Sequence, residues 1–345
     1  MTKPVPDTTY ADSENTMAFI QRIIPGVCKI QLSMPFRMDH VNVYLLEGSP
    51  LTLVDTGPMM EGVEEDLLGA LRQLGHEPSH LERIVLTHTH PDHMGLAAGL
   101  KEASGAELLC HRLAAPKVSD YRGAVMEEME ELLRLSRMLG LPPDLMRLNQ
   151  EMMDQWLEVA GSTYADRLLE GGELLEGDPF TSRVIYTPGH SLDHIVLLLP
   201  DYRLMVTGDL LLDKITPNPD IYPGEEGDML SGLPAFLESI TGLMDLPVIQ
   251  ALPGHGNCIS DFRGRIRDIL THHEQRKRYI VANLRGREMT ILEMGLDLIQ
   301  FVQADTSPAN IFLAMREVFG HLVILEEEEK VIREVREGTW YYHVE

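Results

Sequence analysis

The stretch Ile84-Val85-Leu86-Thr87-His88-Thr89-His90-Pro91-Asp92-His93 decides how this 345-residue chain is read. Its first three residues are an apolar run that reads as a buried strand. Pro91 and Asp92 suit a first helical turn, where the fixed φ of proline fits and its missing N–H costs nothing. Three imidazoles and a carboxylate therefore sit on a strand-to-helix loop, which can aim several side chains at one point. Histidine supplies only 14 residues of the chain, so the cluster is improbable by chance and points to a metal site.

Four more segments repeat the pattern of an apolar strand ending in a tight turn. Leu53-Val54 leads into Asp55-Thr56-Gly57, and Val184-Ile185-Tyr186 into Thr187-Pro188-Gly189-His190-Ser191. Leu204-Met205-Val206 leads into Thr207-Gly208-Asp209, and the run from Val248 to Leu252 into Pro253-Gly254-His255-Gly256. Singly, each is an ordinary glycine turn. In this order around His-x-His-x-Asp-His they resemble the five-motif pattern of the metallo-β-lactamase superfamily, over roughly residues 18–260.

That resemblance implies two divalent metal ions, zinc first, with iron or manganese as alternatives. It assigns His88, His90 and His190 to one ion and Asp92, His93 and His255 to the other, with Asp209 bridging. The donor chemistry agrees, since imidazole suits zinc or iron and bridging carboxylates let two cations lie about 3.5–4 Å apart. Such a pair generates its nucleophile from water, so no serine or cysteine is needed. No Gly-x-Ser-x-Gly elbow occurs, and Cys28, Cys110 and Cys258 fall in no motif. Asp92 is also the candidate proton carrier. Asp55, Thr87, Thr89 and Ser191 are candidate supports for the ligands, because a metal-bound imidazole normally donates its other N–H. Asp55 reads equally well as a turn cap. His40, His111 and His194 read as surface or supporting residues.

The resemblance implies an α/β fold, a four-layer αβ/βα sandwich, formed by residues 18–113 and 173–286. Residues 1–17 read as a loose polar tail. Residues 114–172 read as an inserted helical hairpin, with one apolar stripe at Val125, Met129, Leu132, Leu133 and Leu139 and another at Leu145, Leu148, Met152, Trp156 and Leu157. The insertion holds six of the 19 methionines. It suits either a substrate lid over the metals or a packing and homodimer contact. Periodicity predicts a helix from Asp261 capped by Ser260, then helices over 290–302, 308–320 and 322–336. Residues 287–345 resemble a small winged-helix-like domain appended to some superfamily members, including an endoribonuclease-like branch.

Charge opposes a nucleic-acid role. The chain has 29 Lys+Arg against 54 Asp+Glu, a net charge of −25. Residues 287–345 hold five basic and twelve acidic residues, a net −7, and phosphate contacts need the opposite sign. The basic cluster Arg276-Lys277-Arg278 reads as a solvated helix face. No uninterrupted apolar run is long enough to span a bilayer, and three widely spaced cysteines argue for a reducing, cytoplasmic setting.

Asp209 tells against a true β-lactamase in the resemblance, whereas thioester hydrolases, lactonases, and phosphodiesterases or ribonucleases keep that aspartate. The expected activity is hydrolysis of an ester-like bond in a small-molecule acyl substrate, a thioester as in glyoxalase II, with lactonase or endoribonuclease/phosphodiesterase chemistry as the alternatives. A non-catalytic metal-dependent sensor or scaffold is the alternative from another class.

Overall fold

The computed structural model describes residues 18–34, 38, 40–224 and 229–345, with the backbone alone at 134 and 149–153. The expected tail at 1–17, and the side chains of Met152 and Met153, lie outside the described residues. Seven strands form the first sheet in chain order: β1 (Phe19–Ile24), β2 (Val27–Ser33), β3 (His40–Leu46), β4 (Thr52–Val54), β5 (Arg83–Val85), β6 (Glu107–His111) and β7 (Arg167–Leu169). It is antiparallel from β1 to β4 and parallel from β4 to β7. The next strands are β8 (Leu174–Leu175), β9 (Ser182–Tyr186), β10 (Ile195–Leu199), β11 (Leu204–Gly208), the hairpin β12 (Ile221–Pro223) and β13 (Met229–Ser231), and β14 (Gln250–Pro253). The second sheet has the order β14-β11-β10-β9-β8.

Both faces of the central strands are covered, so their sequences are largely apolar. The period-2 alternation then sorts side chains between layers. Tyr44, Leu46, Val54, Val85 and Leu109 of the first sheet meet Val184, Ile195, Leu197, Val206 and Leu252 of the second in one inter-sheet core. Their neighbours Leu45, Leu53, Ile84 and Leu108 face the opposite way, toward α1 (Val63–Gln73), α2 (Pro91–Met94) and α3 (Ala97–Ser104). Each fully buried Leu, Ile or Val contributes about 1.5–3 kcal/mol relative to exposure. The four-layer sandwich follows from that sorting.

The insertion contains α4 (Ala115–Ser119), α5 (Tyr121–Leu135) and α6 (Pro143–Asp154). It is not wholly helical: residues 167–169 form β7, paired parallel to β6. A three-residue strand is too short to show a period in the sequence. The first stripe divides between two cores. Val125 and Met129 of α5 pack against the first sheet's outer core, Leu139, beyond the end of α5, packs with residues of the C-terminal module, and Leu132 and Leu133 are only partly buried. Val125, Met129 and Leu139 are committed to packing, while Met126 and Leu148 stay exposed.

Helix α7 (Leu233–Gly242) and the long α8 (Phe262–Asn283) cover the outer face of the second sheet. Asp261, not Ser260, caps α8 by accepting from the Gly264 amide at 2.9 Å. Arg276 is buried in an ion pair with Glu317, and Lys277 pairs with Glu274 and Glu328, so two of the three cluster residues are neutralised within the protein. Beyond α8 come β15 (Met289–Thr290), α9 (Ile291–Val302), α10 (Pro308–Glu327), β16 (Ile332–Arg336) and β17 (Thr339–His343), with sheet order β15-β17-β16. The helix expected over 322–336 does not form. α10 continues through Gly320 to Glu327, and Glu337 and Gly338, both with positive φ, turn the chain between two strands. α10 is apolar enough for a membrane span by length and composition, but here it is the core helix of this module, burying Met315, Val318, Phe319 and Leu322.

Candidate metal centre

The ligand loops all leave the carboxyl ends of strands. β5 delivers His88 to His93, β9 delivers His190, β11 delivers Asp209, and β14 delivers His255. Two glycines explain the motif spelling. A Cβ at Gly189, whose φ is +136°, would lie 2.4 Å from the Phe236 backbone, and one at Gly254 would lie 2.4 Å from Asp209 Oδ1. Only glycine lets these backbones approach so closely.

All seven expected ligands converge. His88 Nε2, His90 Nδ1 and His190 Nε2 form one trio, with His90 Nδ1 3.0 Å from each of the other two. Zinc–nitrogen bonds of about 2.0–2.1 Å in a tetrahedron put nitrogens about 3.3 Å apart, so the trio fits a single ion. Asp92, His93 and His255 form a second group, with His255 Nε2 3.2 Å from Asp92 Oδ2. Asp209 lies between the groups: its Oδ2 is 3.4 Å from His255 Nε2 and 3.7 Å from His190 Nε2, and its Oδ1 is 3.4 Å from His93 Nε2. His93 Nε2 and Asp209 Oδ1 are buried without a hydrogen-bond partner. Buried polar atoms left in that way cost free energy unless something coordinates them, so this donor set fits a pair of divalent ions.

The two groups differ in charge. Burial, followed by neighbouring imidazoles, drives His88 well below its ordinary range and His90 down to about 4; burial also lowers His190. In the second group burial is outweighed by carboxylates. Asp209, Asp92 and Asp55 raise His93 well above its usual value, and Asp209 with Asp92 lifts His255 to about 10. Burial likewise opposes ionisation of Asp92, but His93 and His255 hold it down to about 2.

Four of the five imidazoles are oriented through their other ring nitrogen. His88 Nδ1 meets Thr87 Oγ1 at 3.0 Å, and that hydroxyl donates to Asp55 Oδ2 at 2.8 Å. His93 Nδ1 donates to the same Asp55 oxygen at 2.9 Å, while Asp55 Oδ1 accepts the Thr87 amide at 2.7 Å. Asp55 is thus both a ligand support and a turn residue, held at a φ of +60°. His255 Nδ1 donates to the His40 carbonyl at 2.7 Å, and His190 Nδ1 to the Asn218 carbonyl at 3.1 Å. Thr89 and Ser191 are buried beside the ligands, but among the described residues neither hydroxyl bonds a ligand side chain. His194 accepts the Asp209 amide, His40 accepts the Gly256 amide, and His111 stacks on Tyr186. None is a ligand.

Sequence reading missed Asn42, Tyr44 and Asn218. Asn42 Nδ2 and Tyr44 Oη both donate to the Pro253 carbonyl, at 2.9 and 2.7 Å, pinning the His255 loop to β3. A buried Asn inside the apolar run of β3 was a readable signal. Asn218 carried none.

Residues 37–255 match the metallo-beta-lactamase superfamily. This chain belongs to that superfamily. It is 28% identical over 319 residues to a probable metallo-hydrolase, YqjP, of Bacillus subtilis, covering 92% of this chain and 97% of the relative. A beta-lactamase-like protein 2 homolog of Drosophila melanogaster is 27% identical over 320 residues, covering 90% and 91%. The crystal structure of a metallo-beta-lactamase family protein from Thermus thermophilus superposes with a TM-score of 0.79 at 27% identity, covering 94% of this chain and all of that one.

Proposed function

We propose that this protein is a dinuclear metal-dependent hydrolase of ester-like bonds, with an acyl thioester as its substrate class. The observation that carries the reading is Asp209, whose carboxylate lies within 3.7 Å of ligand nitrogens from both groups. His88, His90 and His190 would hold one ion, Asp92, His93 and His255 the other, and zinc suits this nitrogen and oxygen set. When bound, the ions supply Lewis acidity and a water acidic enough to attack at neutral pH. Asp92 is the most exposed carboxylate ligand, with 18% of its side chain accessible against 9% for Asp209. Its carboxylate would accept the proton that the attacking water releases and pass it to the leaving thiolate or alkoxide. Its depressed pKa confines it to a transient carrier. Thr87 and Asp55 hold the His88 and His93 rings in orientation through that step.

The β15-β17-β16 sheet order and the α9 and α10 helices support a winged-helix-like reading of the C-terminal module, and its acidity supports a packing role and no nucleic-acid partner. Three free cysteines support a cytoplasmic setting. A panel of thioesters, lactones, phosphodiesters and RNA, offered to protein of measured metal content, tests the substrate class. Thioesters should give the highest kcat/KM, and a preference for RNA would transfer the reading to a ribonuclease.

A further inference from the structure

The segment between β11 and β12 ties the metal centre to the C-terminal module. On one side, the Asn218 carbonyl accepts the His190 Nδ1–H at 3.1 Å, and the Asp220 amide donates to the carbonyl of Gly189, the residue before that ligand, at 3.1 Å. On the other side, Asn218 Nδ2 donates to the Leu313 carbonyl of α10 at 2.8 Å. Arg316, one turn further along α10, donates from Nη2 and Nε to the Pro219 carbonyl at 2.8 and 3.3 Å and pairs with the Asp220 carboxylate. Its side chain is 17% accessible and the Asp220 side chain 32%. Asn218 and Asp220 thus touch His190 or its neighbour with one edge, and all three residues 218–220 touch α10 with the other.

A metal-bound imidazole depends on the acceptor behind it for ring orientation and basicity, and loss of such an acceptor typically costs about 10–100-fold in metal affinity. A main-chain carbonyl in a strand-to-strand loop is a good acceptor only while the loop is held still. Among the described residues, both donors to the Pro219 carbonyl come from Arg316 and none from the catalytic sandwich. The guanidinium is suited to this, since its fixed fork bonds carbonyl and carboxylate together.

We propose that Arg316 is a positioning residue for the metal centre: acting through Pro219 and Asp220, it fixes the Asn218 carbonyl that orients His190, so the C-terminal module completes the His88/His90/His190 site. This rests on the reading of those residues as metal ligands. It gives the acidic module a role at the metal centre that requires no contact with substrate or nucleic acid.

Cobalt(II) titration of the full-length, metal-stripped protein tests it, with chelator competition for affinity and visible absorption for ligand geometry. Wild-type protein should bind two cobalt ions per chain; failure to bind any would sink the metal reading itself and this proposal with it. In R316M and N218A, one ion should weaken by about 10–100-fold with altered visible bands, while the other stays within about threefold. R316K should recover part of the loss. R336A, which removes exposed ion pairs with Glu288 and Glu334 in the same module, should bind cobalt as wild type does. If R316M and N218A lower the melting temperature but leave both affinities and the spectrum unchanged, Arg316 is structural only and the proposal is wrong. Should R316M not fold, N218A decides alone, because it removes one side-chain tie and keeps the carbonyl.

Discussion

The Asp55 carboxylate accepts the Nδ1–H of His93 at 2.9 Å and, through the Thr87 hydroxyl, also governs the Nδ1 of His88. One buried side chain therefore orients a ligand in each half of the centre. Asp55→Asn should weaken both ions by about 10–100-fold, since its NH2 group presents a donor where Thr87 or His93 also donates. Chelator competition measures this. Unchanged affinities would return Asp55 to the role of a turn cap.

Metal uptake should release protons unequally. In metal-free protein His93 and His255 are raised, His255 to about 10, so both carry protons at pH 7; His88, His90 and His190 are lowered and carry none. The first ion should enter the His88/His90/His190 site with almost no proton release. The second should release about two, and its affinity should climb steeply with pH. Calorimetry in buffers of different ionisation enthalpy counts these protons. Equal release by both ions would contradict the charge assignment.

Much of this centre was legible because each ligand follows a strand within a few residues, and His190, Asp209 and His255 each come directly after a glycine. Asp92 and His93 need only local geometry to be read. The partners in space were not legible. The His40 and Asn218 carbonyls are backbone groups, which carry no side-chain signature, and Arg316 lies 126 positions beyond His190. The fold was read for a similar reason: apolar runs bounded by turn residues mark long strands such as β3, and the motif order implied the sandwich, whereas β7 has three residues and no run long enough to read. The terminal hairpin was misread as helix because α10 runs directly into it, and the Glu337-Gly338 turn has only its glycine to announce it.

Acid should destabilise the contact between α8 and α10. His321 Nδ1 donates to the Glu317 carbonyl at 2.6 Å, so its Nε2 accepts from His273 Nδ1 at 3.0 Å, and His273 Nε2 is buried without a partner. Phe236, His272, Glu317 and Arg276 surround the pair. Burial first lowers His273 to about 3 and His321 to about 4. Unfolded histidine titrates near about 6.5, so the unfolded state takes up protons that the folded state refuses. Stability is full above that value and falls as pH drops toward 4, by about 1.4 kcal/mol per pH unit for each proton. Glu317, held near 2, keeps its charge throughout this window. A double variant, H273Q with H321Q, should show a shallower fall in melting temperature between pH 6.5 and 4. The difference between the curves separates this pair from the metal-site imidazoles, of which His88, His90 and His190 shift in the same sense and His93 and His255 in the opposite one. Parallel curves would remove the pair from the account.

RNA and duplex DNA should bind weakly at low salt. The whole chain carries −25, while phosphate binding draws on cation contacts and counterion release. Fluorescence anisotropy reads the outcome directly, and submicromolar binding that weakens steeply with salt would contradict the expected absence of a nucleic-acid partner.

Thioester hydrolysis followed while metal-stripped protein receives zinc tests the central claim most directly. Turnover should be absent without zinc and reach its maximum at two ions per chain. Asp209→Ala should bind less than two ions and lose at least about 100-fold in kcat/KM, on the scale of removing one electrostatic stabiliser. Full turnover without metal, or one ion per chain in wild type and in the Asp209 variant alike, would contradict a dinuclear hydrolase.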